Sequence, residues 1–212
     1  MTEQVRLDVL PYGDRALLVE VGDTPNVVAY VDALRAAEVP GVADVIPAAE
    51  TVLVVAEPGS PVGALRSALL GIRPDPSADA SSDEGDVVEI PVRYDGPDLA
   101  DVAELTGLSE RDVVDAHTGS TWRVAFGGFA PGFGYLVGGD PRLHVARRTS
   151  ARTAVPAGAV GLAGEYTGVY PRESPGGWQL IGTTEAPMWD LDRDPPALLR
   201  PGARIRFTEV GS

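Results

Sequence analysis

GGFAPGFGYL (Gly127–Leu136), VPAGAVGLAGEYTGVYP (Val155–Pro171) and SPGGW (Ser174–Trp178) are short apolar runs cut by glycine and proline. From Thr121 onward no stretch keeps a helical period, and turn formers recur at roughly the 8 to 12 residue spacing of short strands, which predicts a β-barrel or sandwich. The span from Gly119 to Gly182 holds 14 of the 25 glycines and 8 of the 13 aromatic residues, so large flat rings sit on a backbone able to turn sharply. It also carries six arginines against Asp140, Glu165 and Glu173, a local balance of +3 in a chain of net charge −14. An anionic ligand is expected to bind there.

Upstream, the pattern changes. Val5 to Leu10 and Ala16 to Val21 read as strands around the turn PYGD (Pro11–Asp14). Thr24 followed by Pro25 reads as an N-cap and first helical residue, with Val27, Val31 and Leu34 on one face and Pro40-Gly41 as the stop. Val42 to Ile46 and Thr51 to Ala56 read as strands, and Ser60-Pro61 opens a helix with Val62, Leu65 and Leu69 inward. The order ββαββα predicts a small α+β domain over 1–76. PDPSADASSDEGD (Pro74–Asp86) reads as a linker, acidic over 77–86, and 87–212 as the second domain. That domain starts with a strand from Val87 to Val92. Asp98 is expected to cap a helix bearing Leu99, Val102 and Leu105, and Ser109 with Asp112 to box the next. ARIRFTEV (Ala203–Val210) reads as a closing strand.

Composition excludes several chemistries. All 17 basic residues are arginine, which removes P-loop, Schiff-base and biotinylated lysines, and the absence of cysteine removes disulfides and thiolate chemistry. The acidic balance argues against a nucleic-acid or anionic-membrane surface, and no apolar run approaches the roughly 18 residues of a membrane helix. The N-terminal residues read as no signal peptide, so a cytoplasmic protein is expected.

Four arginines, Arg142, Arg147, Arg148 and Arg152, stand within eleven residues and read either as a carboxylate or phosphate site or as a solvated turn face. His117, at a helix end, reads equally as a proton-transfer group or a cap; His144 reads as a surface residue. Two isolated histidines do not make a metal site, so none is expected. Glu165 and Glu173 read as bases or turn residues. Ser174 in SPGGW lacks both a lysine partner and a G-x-S-x-G elbow. Without a complete catalytic set, the chain is expected to share a site with another polypeptide.

GFAPGFGYL, DPRL (Asp140–Leu143), ARRTSARTAVPAGAVGLAGEYTGVYP, SPGGWQLIG and LLRPGARIRF together resemble the KipI family, strongly over 87–210. That family includes the B subunit of 5-oxoprolinase, allophanate hydrolase subunit 1 and part of the urea carboxylase carboxyltransferase region. The resemblance implies a cyclophilin-like barrel after the linker. It implies one member of a complex that, with a partner of the C-subunit or subunit 2 type and with an A subunit, opens 5-oxo-L-proline to L-glutamate at the expense of ATP held in the complex. Carried onto this chain, His117 and Arg152 are implied as catalytic. Phe129, Pro131, Gly132, Phe133, Tyr135, Arg148, Pro156, Gly158, Gly164, Glu165, Thr167, Tyr170, Pro175, Gly176, Gly177 and Trp178 are implied at the pocket or interface. Arg152 is expected on the substrate carboxylate and the rings as walls. The chain departs from the family with Ala146 before the paired arginines, Ala159 after PAG, and Glu165-Tyr166 where glutamine and a polar residue are usual. Related readings are an allophanate hydrolase or urea-carboxylase-like subunit, and a KipI-like inhibitor of a sensor histidine kinase.

Overall fold

Alternating burial builds the first sheet. A computed structural model describes residues 7–74 and 87–211, which fall into two compact units, Met1–Glu84 and Gly85–Ser212. In the first unit, strands β1 (Asp8–Tyr12), β2 (Ala16–Glu20), β3 (Val42–Pro47) and β4 (Thr51–Ala56) form an antiparallel sheet in the order β1-β2-β4-β3. Val9, Leu17, Val19, Val52 and Val54 alternate to one face and are buried with Val27, Val31 and Leu34 of α1 (Thr24–Ala36) and Leu65 and Leu69 of α2 (Val62–Gly71). Each such side chain contributes roughly 1.5–3 kcal/mol by leaving water.

The cap of α1 differs from the sequence reading. Asp23, not Thr24, is the N-cap, and its carboxylate accepts from Asn26 N at 2.9 Å. Thr24 is the first helical residue and turns inward to donate to Ala49 O. The shift is one residue because Asp caps as well as Thr and Pro25 is tolerated anywhere in the first turn. Pro11 and Tyr12 belong to β1 rather than to the turn. The linker reading over 77–86 lies outside the described residues, as do the first residues of the expected first strand.

The second unit is organised by a seven-stranded sheet. Its strands are β5 (Val87–Val92), β6 (Trp122–Gly127), β7 (Gly134–Val137), β9 (Ala159–Ala163), β10 (Tyr166–Val169), β12 (Gln179–Thr183) and β13 (Arg204–Glu209), in the order β12-β9-β10-β7-β6-β13-β5. Only β13 and β5 are parallel; the other neighbours are antiparallel. Arg93 and Thr183 exchange two backbone hydrogen bonds of 2.8 Å, which ties the β5 edge to the β12 edge and nearly closes a barrel. A two-stranded ribbon of β8 (Arg152–Val155) and β11 (Ser174–Gly176) stands apart from that sheet.

Helices α3 (Leu99–Thr106) and α4 (Glu110–Gly119) complete this unit. α4 carries the expected capping box, Ser109 and Asp112 each bonding the other's backbone N–H. α3 buries Leu99, Val102 and Ala103, and Leu105 is 60% exposed because it falls off that face. The barrel interior holds Ile90, Val92, Trp122, Val124, Leu136, Val160, Leu162, Ile181, Ile205 and Phe207. The described residues are thus mostly β with four α-helices.

Candidate functional site

Asp98 occupies the N-cap position of α3, yet its side chain makes no cap hydrogen bond. Its carboxylate, 2% exposed, instead accepts from Arg148 Nη1 at 2.6 Å and Arg152 Nη2 at 2.7 Å on Oδ1, and from Leu180 N at 2.7 Å on Oδ2. Arg148 lies on the segment before β8, Arg152 opens β8, and Leu180 follows the first residue of β12. A buried charge needs partners of this kind, and Asp98 has three. One buried carboxylate between two guanidiniums leaves one positive charge over. A further acid, Asp101, is 3.9 Å from Arg148 and mostly exposed, so water screens it.

The fork is incompletely satisfied. Among the described residues, Arg148 Nε, Arg152 Nη1 and Gln179 Oε1 are buried without a hydrogen-bond partner. Each such group costs about 1–3 kcal/mol when left unpaired. Gln179 is placed by its own amide, which donates to Ala146 O at 3.2 Å, two residues from Arg148.

Rings border this cluster. Phe133, Tyr170 and Trp178 are buried and meet edge to face, with centroids 5.4 Å apart for Phe133–Tyr170 and for Phe133–Trp178. Phe129 packs on Phe133 and Tyr170 but is 58% exposed, from a backbone with φ +67°. Tyr135 bridges this group to Phe126 and Tyr166. Gly176 pairs with Arg152 across the ribbon, and a Cβ there would sit 2.2 Å from the Tyr170 hydroxyl. Gly177 O accepts from Arg148 N at 2.8 Å. Burial pushes the Tyr170 pKa up, against the opposing pull of the Trp178 backbone, Arg147 and Arg152. Arg148, Arg152, Tyr170, Gly176, Gly177 and Trp178 are therefore one assembly, with Phe129 and Phe133 at its edge.

The remaining expected residues stand elsewhere or act through backbone. Arg142 pairs with Asp140, and Arg147 is exposed, so the four-arginine run divides. Pro131 is exposed beside Phe129, and Gly132 packs against Met188 and Trp189. Gly158 N holds Tyr170 O at 2.8 Å after the turn at Pro156, and Pro175 lies on β11. Gly164 and Glu165 form the tip of the β9–β10 hairpin, where Gly164 N donates to Val145 O.

His117 lies in the barrel core, fully buried. Its Nε2 is 2.9 Å from Thr167 Oγ1 and its Nδ1 is 2.7 Å from the Tyr94 hydroxyl. Thr167 gives its hydrogen to Gly161 O, so it accepts from Nε2–H, and Nδ1 accepts from Tyr94. The ring stacks on Phe207 at 4.3 Å, and desolvation lowers its pKa to about 3. It is neutral near pH 7 and shut off from solvent. Its spacing from Val113 and Val114, both buried on the same turn face, carries the signal for this placement.

Sequence reasoning missed Asp98 and Gln179 as members of the site. An Asp before a helix looks like a cap whether or not its side chain bonds the helix, and a glutamine opening a strand has no distinguishing pattern. Among the described residues no group of three or more His, Cys, Asp or Glu gathers as a metal site, and no helix is long and apolar enough to cross a membrane.

Residues 7–199 match the family described as carboxyltransferase domain, subdomain C and D. Over 133 residues the chain is 50% identical to the 5-oxoprolinase B subunit of Escherichia coli O157:H7, covering 61% of each. The chain thus spans about three fifths of that relative's length. A conserved uncharacterized protein from Pyrococcus horikoshii is 33% identical, with a TM-score of 0.59, covering 97% of this chain and 98% of that one. The urea amidolyase of K. lactis shares the fold, at 21% identity and a TM-score of 0.66 over 98% of this chain and 15% of its own. These matches agree with the resemblance carried by the glycine and aromatic motifs.

Proposed function

The chain belongs to the carboxyltransferase domain family, subdomains C and D, and from that premise we propose that it is the B subunit of an ATP-dependent 5-oxoprolinase, converting 5-oxo-L-proline to L-glutamate. The observation that carries this is its half-identity to a 5-oxoprolinase B subunit. The site supports it with a cationic fork of Arg148 and Arg152, steadied by Asp98 and walled by rings, which suits a small carboxylate.

In this reading Arg152 and Arg148 hold the substrate carboxylate, and Phe129, Phe133, Tyr135, Tyr170 and Trp178 limit water around the ring. Pro131, Gly132, Pro156, Gly158, Gly164, Glu165, Pro175, Gly176 and Gly177 shape the pocket rim and the surface offered to a partner. His117, implied as catalytic, fits an orienting part with its buried, doubly bonded ring better than proton transfer; with Thr167 it sets the barrel wall. ATP fits this chain poorly, since it has no lysine to hold phosphates, so ATP belongs elsewhere in the complex. The chain is not catalytic alone. It works in a hetero-oligomer with a C-type partner and an A-type partner, in the cytoplasm, a compartment that suits a cysteine-free chain. The two units are read as a small α+β domain and a cyclophilin-like barrel joined over 77–86.

Co-expression with candidate A and C subunits tests the proposal by 5-oxoproline-dependent ATP hydrolysis and glutamate release. Wild type should support both, and Arg152→Ala should reduce glutamate release by at least about a hundredfold, the scale of a lost charged contact. A stable complex that turns over allophanate or urea instead would replace the proposal with the related amide or carboxyl-transfer reading, which the urea amidolyase fold accommodates.

A further inference from the structure

The unpaired atoms of the arginine fork describe a ligand. Arg148 Nε and Arg152 Nη1 are donors awaiting an acceptor, and Gln179 Oε1 is an acceptor awaiting a donor. The amide of Gln179 cannot be turned around to remove the mismatch, because its nitrogen donates to the carbonyl of Ala146. Gln179 is only 6% exposed, and its Oε1 is turned away from bulk solvent. The three residues converge on one carboxylate. Both arginines share Asp98 Oδ1, and the residue after Gln179 gives its backbone N–H to Asp98 Oδ2.

We propose that Gln179 is a specificity residue of this site, reading the amide N–H of a small carboxylate whose anionic group is held by Arg148 and Arg152. The inference rests on the 5-oxoprolinase reading for its substrate, and adds the part of the ligand that is recognised. A ligand must carry an acceptor pair and a donor close together. The donor must be neutral, since the fork keeps one positive charge beyond Asp98 and an ammonium would be repelled. An amide or lactam N–H beside a carboxylate meets both conditions. A free amino acid does not. Ring opening of a lactam carboxylate turns the neutral N–H into the ammonium of an amino acid, so the same arrangement that holds the substrate expels the product. Arg148 and Arg152 keep 31% and 24% of their side-chain surface in solvent, so the fork stands at the protein surface although its unpaired atoms are buried.

Isothermal titration of the full chain, and of its complex with the partner proteins, measures this with three probes. These are 5-oxo-L-proline, the lactone in which a ring oxygen replaces its N–H, and L-proline. The wild-type protein should bind the lactam about tenfold more tightly than the lactone, the scale of one hydrogen bond plus an unpaired acceptor, and L-proline more weakly than both. Gln179→Leu should bring lactam and lactone to within about twofold, and Arg148→Gln should weaken both together. Equal binding of lactam and lactone by the unaltered protein overturns the proposal without any variant, as does saturable binding of L-proline at the lactam's affinity or no saturable binding of any probe. The two readings fail separately. A complex that releases glutamate from 5-oxoproline while wild type fails to tell lactam from lactone leaves the function and removes the role of Gln179. Gln179-dependent binding in a complex that releases no glutamate does the reverse.

Discussion

Asp98 and Arg152, 54 positions apart, meet through a 2.7 Å hydrogen bond from Nη2 to Oδ1, and the aspartate end of that bond is almost completely buried. Removing the carboxylate's charge leaves two guanidiniums facing each other and part of their donors idle. Asp98→Asn should therefore destabilise the chain by about 2–3 kcal/mol, below the full value for a broken buried pair because the arginines are partly exposed. Urea unfolding of the variant checks this, and a change under 0.5 kcal/mol, roughly a neutral surface substitution, would refute it.

The His117 ring makes stability depend on acid in a defined window. Its pKa falls from 6.5 to about 3 on folding, so the folded form binds fewer protons than the unfolded one. Its contribution is complete above pH 6.5 and lost as pH falls toward 3, at about 1.4 kcal/mol per pH unit once the unfolded histidine is protonated. Asp112, Asp115 and Asp140, whose pKa values are lowered by Ser109, Arg111 and Arg142 respectively, act only at lower pH. Between about pH 6 and 5 the slope belongs to His117, and denaturation curves should show it vanish in His117→Gln. A slope unchanged in the variant would place the titration elsewhere.

Gly168 seats the rings. A Cβ there would lie 2.9 Å from Gly134 O and 3.1 Å from both Phe133 Cζ and Trp178 Cζ3. The carbonyl belongs to a paired strand and both rings are buried, so none of the three can step aside freely. Gly168→Ala should cost about 1–3 kcal/mol and weaken the near-ultraviolet circular dichroism of the ring cluster. Unaltered melting with an unaltered aromatic signal would contradict the packing described.

Phe129 presents an exposed ring from a left-handed backbone that glycine adopts more readily. Phe129→Gly relieves that backbone while giving up two ring edges, so stability should move by less than about 1 kcal/mol. Complex formation with the proposed partner subunits should weaken about tenfold or more, as for an aromatic anchor at an interface. Binding at wild-type affinity would remove Phe129 from the interface.

Much of the local structure is legible from the chain alone, because its causes are local. The Ser109–Asp112 box forms within three residues, Val27, Val31 and Leu34 share a face by helical period, and Arg204–Glu209 alternates in a strand. The lack of lysine and cysteine settled which chemistries were impossible before any fold was considered. The glycine and aromatic motifs marked where rings would gather and which family the chain belongs to. Tertiary structure decided what composition and spacing left open. Arg142, Arg147, Arg148 and Arg152 look alike in sequence, and only the tertiary fold brings Arg148 and Arg152 onto Asp98 while leaving Arg142 to Asp140. Asp98 became a buried counter-ion rather than a cap because β12 and the segment before β8 close over it. His117 became a neutral core residue because α4 packs that face against β13. Desolvation, which fixes the charge of a group, is a property of everything packed around it, and neighbours far along the chain leave no trace in the local pattern.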